Sequence, residues 1–421
     1  MWRAVHVRAE ERPALAWSFL YFFCLLCGYY VLRPVRDEMG VAAGVSNLPW
    51  LFTGTFAAML AAVPLFGWVT ARFPRRAMLP AVYLFFVVQL LAFFLLTKNA
   101  VAPAAVAAAF FVWVSVFNLF VVSVFWSFMV DLFTEEQAKR LFGAIAAGGS
   151  AGALAGPAFT AALAVPLGVP NLLLVSAALL GFAVLCIGRL NAWSARQAGS
   201  AGAPGARGEA IGGSVWGGVS AVLSSRYLLA LCLYIALFSL LFTFLYFEQA
   251  RIVSASLFDP AERTRLFALL DLAVNALALA LQIGLTARLL ARLGVAGALA
   301  VLPALAIAGF AVLGAAPTLA VLLAFQVVRR AAEYAIAKPA RELLFAVLDR
   351  ERKYKAKNFI DTVVFRAADA ASGWLLAAVG AAGLGAAATA AAAVPLAAAW
   401  LVLSWALGRR QEALARGGER G

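Results

Sequence analysis

The sequence predicts an all-α membrane protein of about twelve transmembrane helices, arranged as two pseudo-symmetric six-helix bundles. Three observations predict it. Hydrophobic residues make up 65% of the 421 residues and charged residues only 13%, with a mean hydropathy of +0.93, whereas soluble domains carry roughly 25% charged residues. Apolar runs long enough to cross a bilayer, about 20 residues each, recur from one end of the chain to the other. Short motifs also repeat between the two halves at a nearly constant offset.

The apolar runs place spans near 14–33, 48–70, 78–97, 104–130, 142–164, 170–190, 227–247, 266–287, 295–314, 318–340, 358–380 and 385–407. Charges interrupt the tenth and eleventh. The first run is longer than the apolar core of a signal peptide, and no small-x-small site precedes its charged end, so it is expected to stay in the mature protein. Residues 191–226 are rich in Gly, Ala and Ser, as in Ala198-Gly199-Ser200-Ala201-Gly202-Ala203-Pro204-Gly205. Such a run buries too little apolar area to order itself and reads as a flexible linker. It divides the chain into bundles at 1–190 and 227–421.

A net charge of +14 first suggests nucleic acid, but its distribution points elsewhere. With the N-terminus inside, the opposite loops hold only Arg33, Arg36, Lys98, Arg251, Arg263 and Arg265, while most of the 34 Lys and Arg fall in cytoplasmic segments. By the positive-inside rule both termini face the cytoplasm, and the inner membrane of a bacterium is the expected location. Nucleic acid is not an expected partner; the bilayer is.

Several chemistries are excluded. The only histidine is His6, and Cys24, Cys27, Cys186 and Cys232 all fall in apolar spans, so no metal site or His-dependent acyl transfer is expected. Gly148, Gly152 and Gly156 sit among small residues that resemble a phosphate loop, but the chain contains no Gly-Lys dipeptide, which excludes a Walker A loop. Their four-residue spacing lines one helix face and predicts close helix packing. No cofactor is implied, and an enzyme is not expected.

The halves share three features. Thr70-Ala71-Arg72 and Thr286-Ala287-Arg288 close the second and eighth spans. Arg33 and Arg251 end the first and seventh. Asp131 with Lys139, and Asp349 with Lys357, follow the fourth and tenth. Together they suggest two repeated bundles, the architecture of major-facilitator transporters. Gly67-Trp68-Val69-Thr70-Ala71-Arg72-Phe73-Pro74-Arg75-Arg76 resembles that superfamily's loop between spans two and three, without its usual acid.

Charges within lipid depth cost roughly 2.5–3.5 kcal/mol each at a helix centre and are retained where they face water, pair, or handle a solute. They form three groups. At the outer end of span one stand Arg33, Arg36, Asp37 and Glu38, where Arg33 and Asp37 are spaced to share a face and Pro34 is expected to kink the helix. Span ten carries Arg329, Arg330, Glu333 and Lys338, with Glu333 in reach of either arginine and a bend expected at Pro339. Span eleven carries Asp361, Arg366 and Asp369 after the basic loop Arg350–Lys357, with Lys357 and Asp361 spaced as a local pair. Asp271 and Asn275 share a face of span eight. Each group reads either as a solute site or as ion pairs that lock the bundle. Arg binds phosphate or carboxylate through a planar fork, and local acids do not obviously neutralise every cation, so an anionic solute is favoured. Tyr29, Tyr30, Trp113, Trp126 and Tyr334 either stack on such a solute or pack as ordinary membrane aromatics.

Three segments resemble the ATP:ADP antiporter (NTP/NDP exchange transporter, or nucleotide translocase) family of intracellular bacteria and plastids, most closely its free-living bacterial relatives. They are Tyr30-Val31-Leu32-Arg33-Pro34-Val35-Arg36-Asp37, Asp131 through Gly143, and Lys338 through Gly373. The first resembles L-R-D-x-K-D, with Arg36 in the place of a binding lysine and Asp37 matching the acid. In the second, Gln137-Ala138-Lys139-Arg140-Leu141-Phe142 resembles E-A-K-R-F-Y. The family's Glu is thus Gln137 here, with Glu136 beside it. In the third, Lys355-Ala356-Lys357 resembles K-G-K, which makes Lys357 the counterpart of a second binding lysine; Asp361 and Ser372-Gly373 also fit. The resemblance implies counter-exchange of nucleotides or similar organic phosphates by alternating access. Its substrate candidates are Arg33, Arg36, Arg329, Arg330, Lys338, Lys357, Arg366 and Tyr30. Its coupling or gating candidates are Asp37, Glu136, Lys139, Asp271, Glu333, Asp361 and Asp369. Two other readings stand beside it: a proton-coupled major-facilitator carrier of another solute, and a non-transporting membrane scaffold.

Overall fold

The computed structural model describes residues 7–72, 75–198, 222–383 and 386–418. Among them the chain forms twelve long helices and no strand. In order they are α1 (Arg12–Ala42), α2 (Leu48–Arg72), α3 (Arg75–Lys98), α4 (Pro103–Leu132), α5 (Glu135–Leu167), α6 (Val169–Ala198), α7 (Arg226–Ser256), α8 (Pro260–Gly284) and α9 (Thr286–Ala315). α10 joins Leu319–Ala332, a π-turn at Glu333–Ala337 and Lys338–Leu344. α11 joins Arg350–Phe359, a second π-turn at Ile360–Val364 and Phe365–Ala381. α12 is Ala386–Gly418. Eleven of the helices in the described residues are long and apolar enough to cross a membrane. α10 falls short because Arg329, Arg330 and Glu333 stand within its apolar stretch.

The helices outrun the apolar spans at several ends. α1 continues through Pro34 to Ala42, so Arg33, Arg36, Asp37 and Glu38 all lie on helix and the chain does not break at the proline. The basic stretch expected as a loop is instead the first part of α11. Asp349 caps it, its Oδ1 accepting from the Arg352 N–H at 2.9 Å, and Lys and Arg are good helix formers. α6 runs on to Ala198, into the stretch read as linker; residues 199–221 lie outside the described residues.

Two compact units emerge from the packing. The first holds 1–43, 61–210 and 258–272; the second holds 44–60, 211–257 and 273–421.

In the first unit α1 is central. The small-residue face of α5 meets it as the glycine spacing predicts: a Cβ on Gly148, Gly152 or Gly156 would run into the α1 backbone at Phe19, Phe23 or Cys27. Cys24, Cys27 and Cys186 are buried as free thiols, consistent with small apolar residues. Tyr21 donates to the Tyr83 hydroxyl at 2.6 Å, and Tyr83 in turn to the carbonyl of Val121 at 3.1 Å, which satisfies two buried phenols inside an aromatic cluster. Trp113 packs between Phe110 and Phe117 and Trp126 against Phe22 and Phe125. Both are packing residues of this unit.

In the second unit α9 and α12 lie against one another through Gly408 and Ala296, where a Cβ on the glycine would meet the α9 backbone. α9 is interrupted at Gly294 (φ 66°, ψ −173°), a conformation that favours glycine. The nearby Ala296 N–H donates to Glu412 Oε1 of α12 at 3.1 Å. Trp400 is fully buried at the centre of this unit's core, against Tyr234, Phe238 and Phe242.

Candidate functional site

α1 presents its charges along one stretch of the first unit. Arg33 has a partner remote in sequence. Its Nε lies 3.6 Å from Asp271 Oδ2, and Asp271 is almost fully buried. Asp37 is held by its sequence neighbour Arg36 at 3.2 Å. The reason is reach: α8 brings a buried carboxylate to Arg33, while the Arg36 guanidinium lies over the Phe111 ring, 3.8 Å from its centre, with its Nε donating to the Phe111 carbonyl at 3.3 Å. That stacking fixes the guanidinium beside Asp37. Tyr30 lies under Arg33, 5.7 Å from ring centre to guanidinium. One turn on, Glu38 takes Arg263 of α8 at 2.8 Å, both side chains mostly buried. Arg263 reads in sequence as a loop charge, and no local signal links residues so far apart in the chain.

At the start of α5 the order differs from the repeat logic. Thr134 caps the helix, and Gln137 closes a capping box with it, so the residue standing for the family's Glu has a structural task. Gln137 Nε2 also donates to Glu11 Oε1 at 3.2 Å, and Arg140 binds the same buried Glu11 at 2.8 and 3.0 Å. Glu136 meets Arg8 at 3.2 Å and Lys139 meets Glu135 at 2.8 Å, both as exposed pairs. Exposed pairs of this kind contribute about 0–1 kcal/mol.

The second unit gathers the other candidates. Arg329 is buried. It donates to Glu333 Oε2 and to Gln326 Oε1, each at 3.0 Å, and stacks over Phe242 at 4.1 Å. Arg330 is equally buried. Lys357 does not pair with Asp361 as the spacing suggests. It reaches Glu342 at 2.5 Å, while Asp361 faces Arg341 at 3.6 Å. The π-turn in α11, which begins at Ile360, changes the register between positions 357 and 361, and α10 supplies nearer partners for both. Arg366 and Asp369 do pair locally, at 3.4 Å. Asp369 also accepts from Ser239 at 2.5 Å and Thr243 at 3.5 Å.

Within this unit Tyr234, Phe238, Glu333, Tyr334, Ala337, Lys338, Arg341 and Phe365 line a cavity of ≈170 Å³. Sequence reasoning anticipated Glu333, Tyr334 and Lys338. It missed Arg341, Tyr234, Phe238 and Phe365, since their convergence depends on three helices meeting. Glu333 is matched by Arg329 and Arg341 by Asp361. Lys338 is exposed, and among the described residues it makes no hydrogen bond or ion pair. Among the described residues the cavity therefore holds one cation that touches no acid, with Asp361 its nearest recorded charge partner, among aromatic walls. Drug-sized sites run roughly 300–1,000 Å³, so this one accommodates a head group rather than an entire large solute.

Charges inside apolar spans and a cavity within one unit are features that membrane transporters carry. A model of the Major Facilitator Superfamily matches residues 18–333, and the chain belongs to that superfamily. No curated protein matches it by sequence. Among solved structures, the nucleoside transporter NupG is 14% identical with a TM-score of 0.65, over 95% of this chain and 98% of that one. A D-xylose-proton symporter is 15% identical at 0.62, over 94% and 98%. A POT family transporter in complex with 5-aminolevulinic acid is 12% identical at 0.62, over 95% and 96%. Likeness at such identity carries the fold alone.

Proposed function

We propose that this protein exchanges nucleotides or related organic phosphate anions across a membrane by alternating access. The observation that carries the proposal is Lys338: a lysine in a helix with buried charges, in ion-pair contact with no acid among the described residues and only at longer range from Asp361, on a cavity walled by Tyr234, Phe238, Tyr334 and Phe365. An ammonium in that setting is a point charge for one phosphate oxygen, and the rings supply faces for a flat group. The motifs around Arg36 and Lys357 add support for nucleotide cargo. In the state described, both of those cations are held by acids, Asp37 and Glu342, so in this proposal they engage solute by exchanging partners during the cycle. The proposed setting is a bacterial inner membrane with both termini in the cytoplasm.

The test is counterflow in proteoliposomes. Vesicles preloaded with ATP, ADP, other nucleotides, sugar phosphates or carboxylates are offered labelled ADP. Uptake that requires an internal phosphate ester, and that falls at least about tenfold in Lys338→Gln while Lys338→Arg retains it, supports the proposal. A tenfold effect is about 1.4 kcal/mol, the size of one charge-assisted contact. Wild-type uptake in Lys338→Gln removes it.

A second reading is proton-coupled carriage of another solute, favoured by Asp369. Its carboxylate is buried, hydroxyls of Ser239 and Thr243 surround it, and one arginine pairs with it. Uptake driven by an imposed pH gradient into unloaded vesicles would select that reading.

A further inference from the structure

Two carbonyls in α10 lose their helical donors for reasons written in the sequence. In an α-helix a carbonyl accepts from the N–H four residues on, and Pro339 has none; the carbonyl of Ala335 is thereby left without its usual donor. The chain forms a π-turn over Glu333–Ala337, closed by the Lys338 N–H donating back to the Glu333 carbonyl. This pattern withdraws the Lys338 N–H from Tyr334, and the next donor in π register for Tyr334 is again Pro339. Both carbonyls are answered from the junction of α8 and α9. Gln282 Nε2 donates to the Tyr334 carbonyl at 3.2 Å, and Thr286 Oγ1 to the Ala335 carbonyl at 2.8 Å. The latter is the shorter of the hydroxyl's two contacts, since the Leu281 carbonyl lies at 3.2 Å. Gln282 and Thr286 stand on either side of the break at Leu285, four residues apart, and the two donors serve adjacent carbonyls together.

Tyr334 lies in this turn and Lys338 closes it, and both line the cavity; Gln282 and Thr286 do not. We infer that Gln282 and Thr286 are positioning residues: by holding the π-turn they set where Tyr334 and Lys338 stand in the anion site. The inference rests on the reading of the Lys338 cavity as that site. Pi-turns persist where something outside the helix satisfies the freed groups, and they cluster at functional positions. Here the outside donors are identified, and removing one leaves a carbonyl unsatisfied beside the site.

The test uses the full-length protein in lipid nanodiscs, with ADP and, in parallel, inorganic phosphate as probes. Thr286→Val keeps shape and removes the donor. It should weaken ADP binding roughly tenfold, the weight of a single hydrogen bond, and Thr286→Ser should restore wild-type affinity. Hydrogen exchange across 333–338 should quicken in Thr286→Val and return to normal in Thr286→Ser, with no ligand present. Pro339→Ala returns an N–H to the helix, so in that background Thr286→Val should lose its effect. Unchanged exchange and affinity in Thr286→Val, with binding still lost in Lys338→Gln, overturns the positioning role and leaves the anion site standing. Normal ADP and phosphate binding in Lys338→Gln, or none by the wild type, overturns the site and the inference together.

Discussion

Arg140 of α5 binds Glu11 through two N–H···O bonds at 2.8 and 3.0 Å, and Gln137 donates to the same carboxylate at 3.2 Å. The acid is 1% exposed, so it depends on these three donors and on the Arg8 N–H, which donates to it at 3.0 Å. Gln137→Glu would turn a donor into a second carboxylate facing Glu11. The expected result is a loss of about 1–3 kcal/mol of stability, read as a lower melting temperature of the purified protein. The same substitution in a Glu11→Gln background should cost much less, because the amide removes the like-charge contact.

The Glu38–Arg263 bridge joins α1 to the first part of α8 at 2.8 Å with both side chains mostly out of solvent. Arg263→Met alone strands a buried carboxylate and is expected to cost about 3–5 kcal/mol, whereas Glu38→Met with Arg263→Met leaves no lone charge and should recover most of it. Denaturation of the two variants beside the wild type decides the matter. Equal loss in both would mean the bridge is not the reason.

Gly152 has no room for a side chain, since a Cβ there would strike the α1 backbone at Phe23 and Cys27. Gly152→Val should push α5 away from α1 and cost about 1–3 kcal/mol or more. Gly143, which faces open space, should accept alanine with little change in melting temperature. A Gly143→Ala variant as damaged as Gly152→Val would refute the packing explanation.

Asp369 bears on the choice between exchange and proton coupling. Asp369→Asn keeps an acceptor for Ser239 and Thr243 while removing a titratable group. If the protein exchanges solutes without protons, counterflow at pH 6 and pH 8 should change in parallel in variant and wild type. Selective loss of gradient-driven uptake, with counterflow intact, would move the assignment to a proton-coupled carrier.

Much of the fold was legible because bilayer physics writes it in one dimension. A run of Leu, Val, Phe and Ala long enough to span hydrocarbon must be a helix, since lipid satisfies no backbone group. The glycine spacing on α5 carried its packing role for the same reason: periodicity along a helix names a face. The site was legible only in part. Glu333, Tyr334 and Lys338 were visible as charges and a ring in an apolar run. Arg341 looked like a cytoplasmic anchor, and Tyr234, Phe238 and Phe365 looked like any other membrane aromatics.

The sequence by itself determined the class of protein, the helix count and the positions where charge enters lipid depth, because hydropathy and helix periodicity are local quantities. Tertiary structure alone decided which acid meets which base: Arg33 with the remote Asp271, Lys357 with Glu342, and Arg341 with Asp361. Coulomb attraction and desolvation act through space, over a few ångströms. Residues far apart along the chain become neighbours only once the helices have packed.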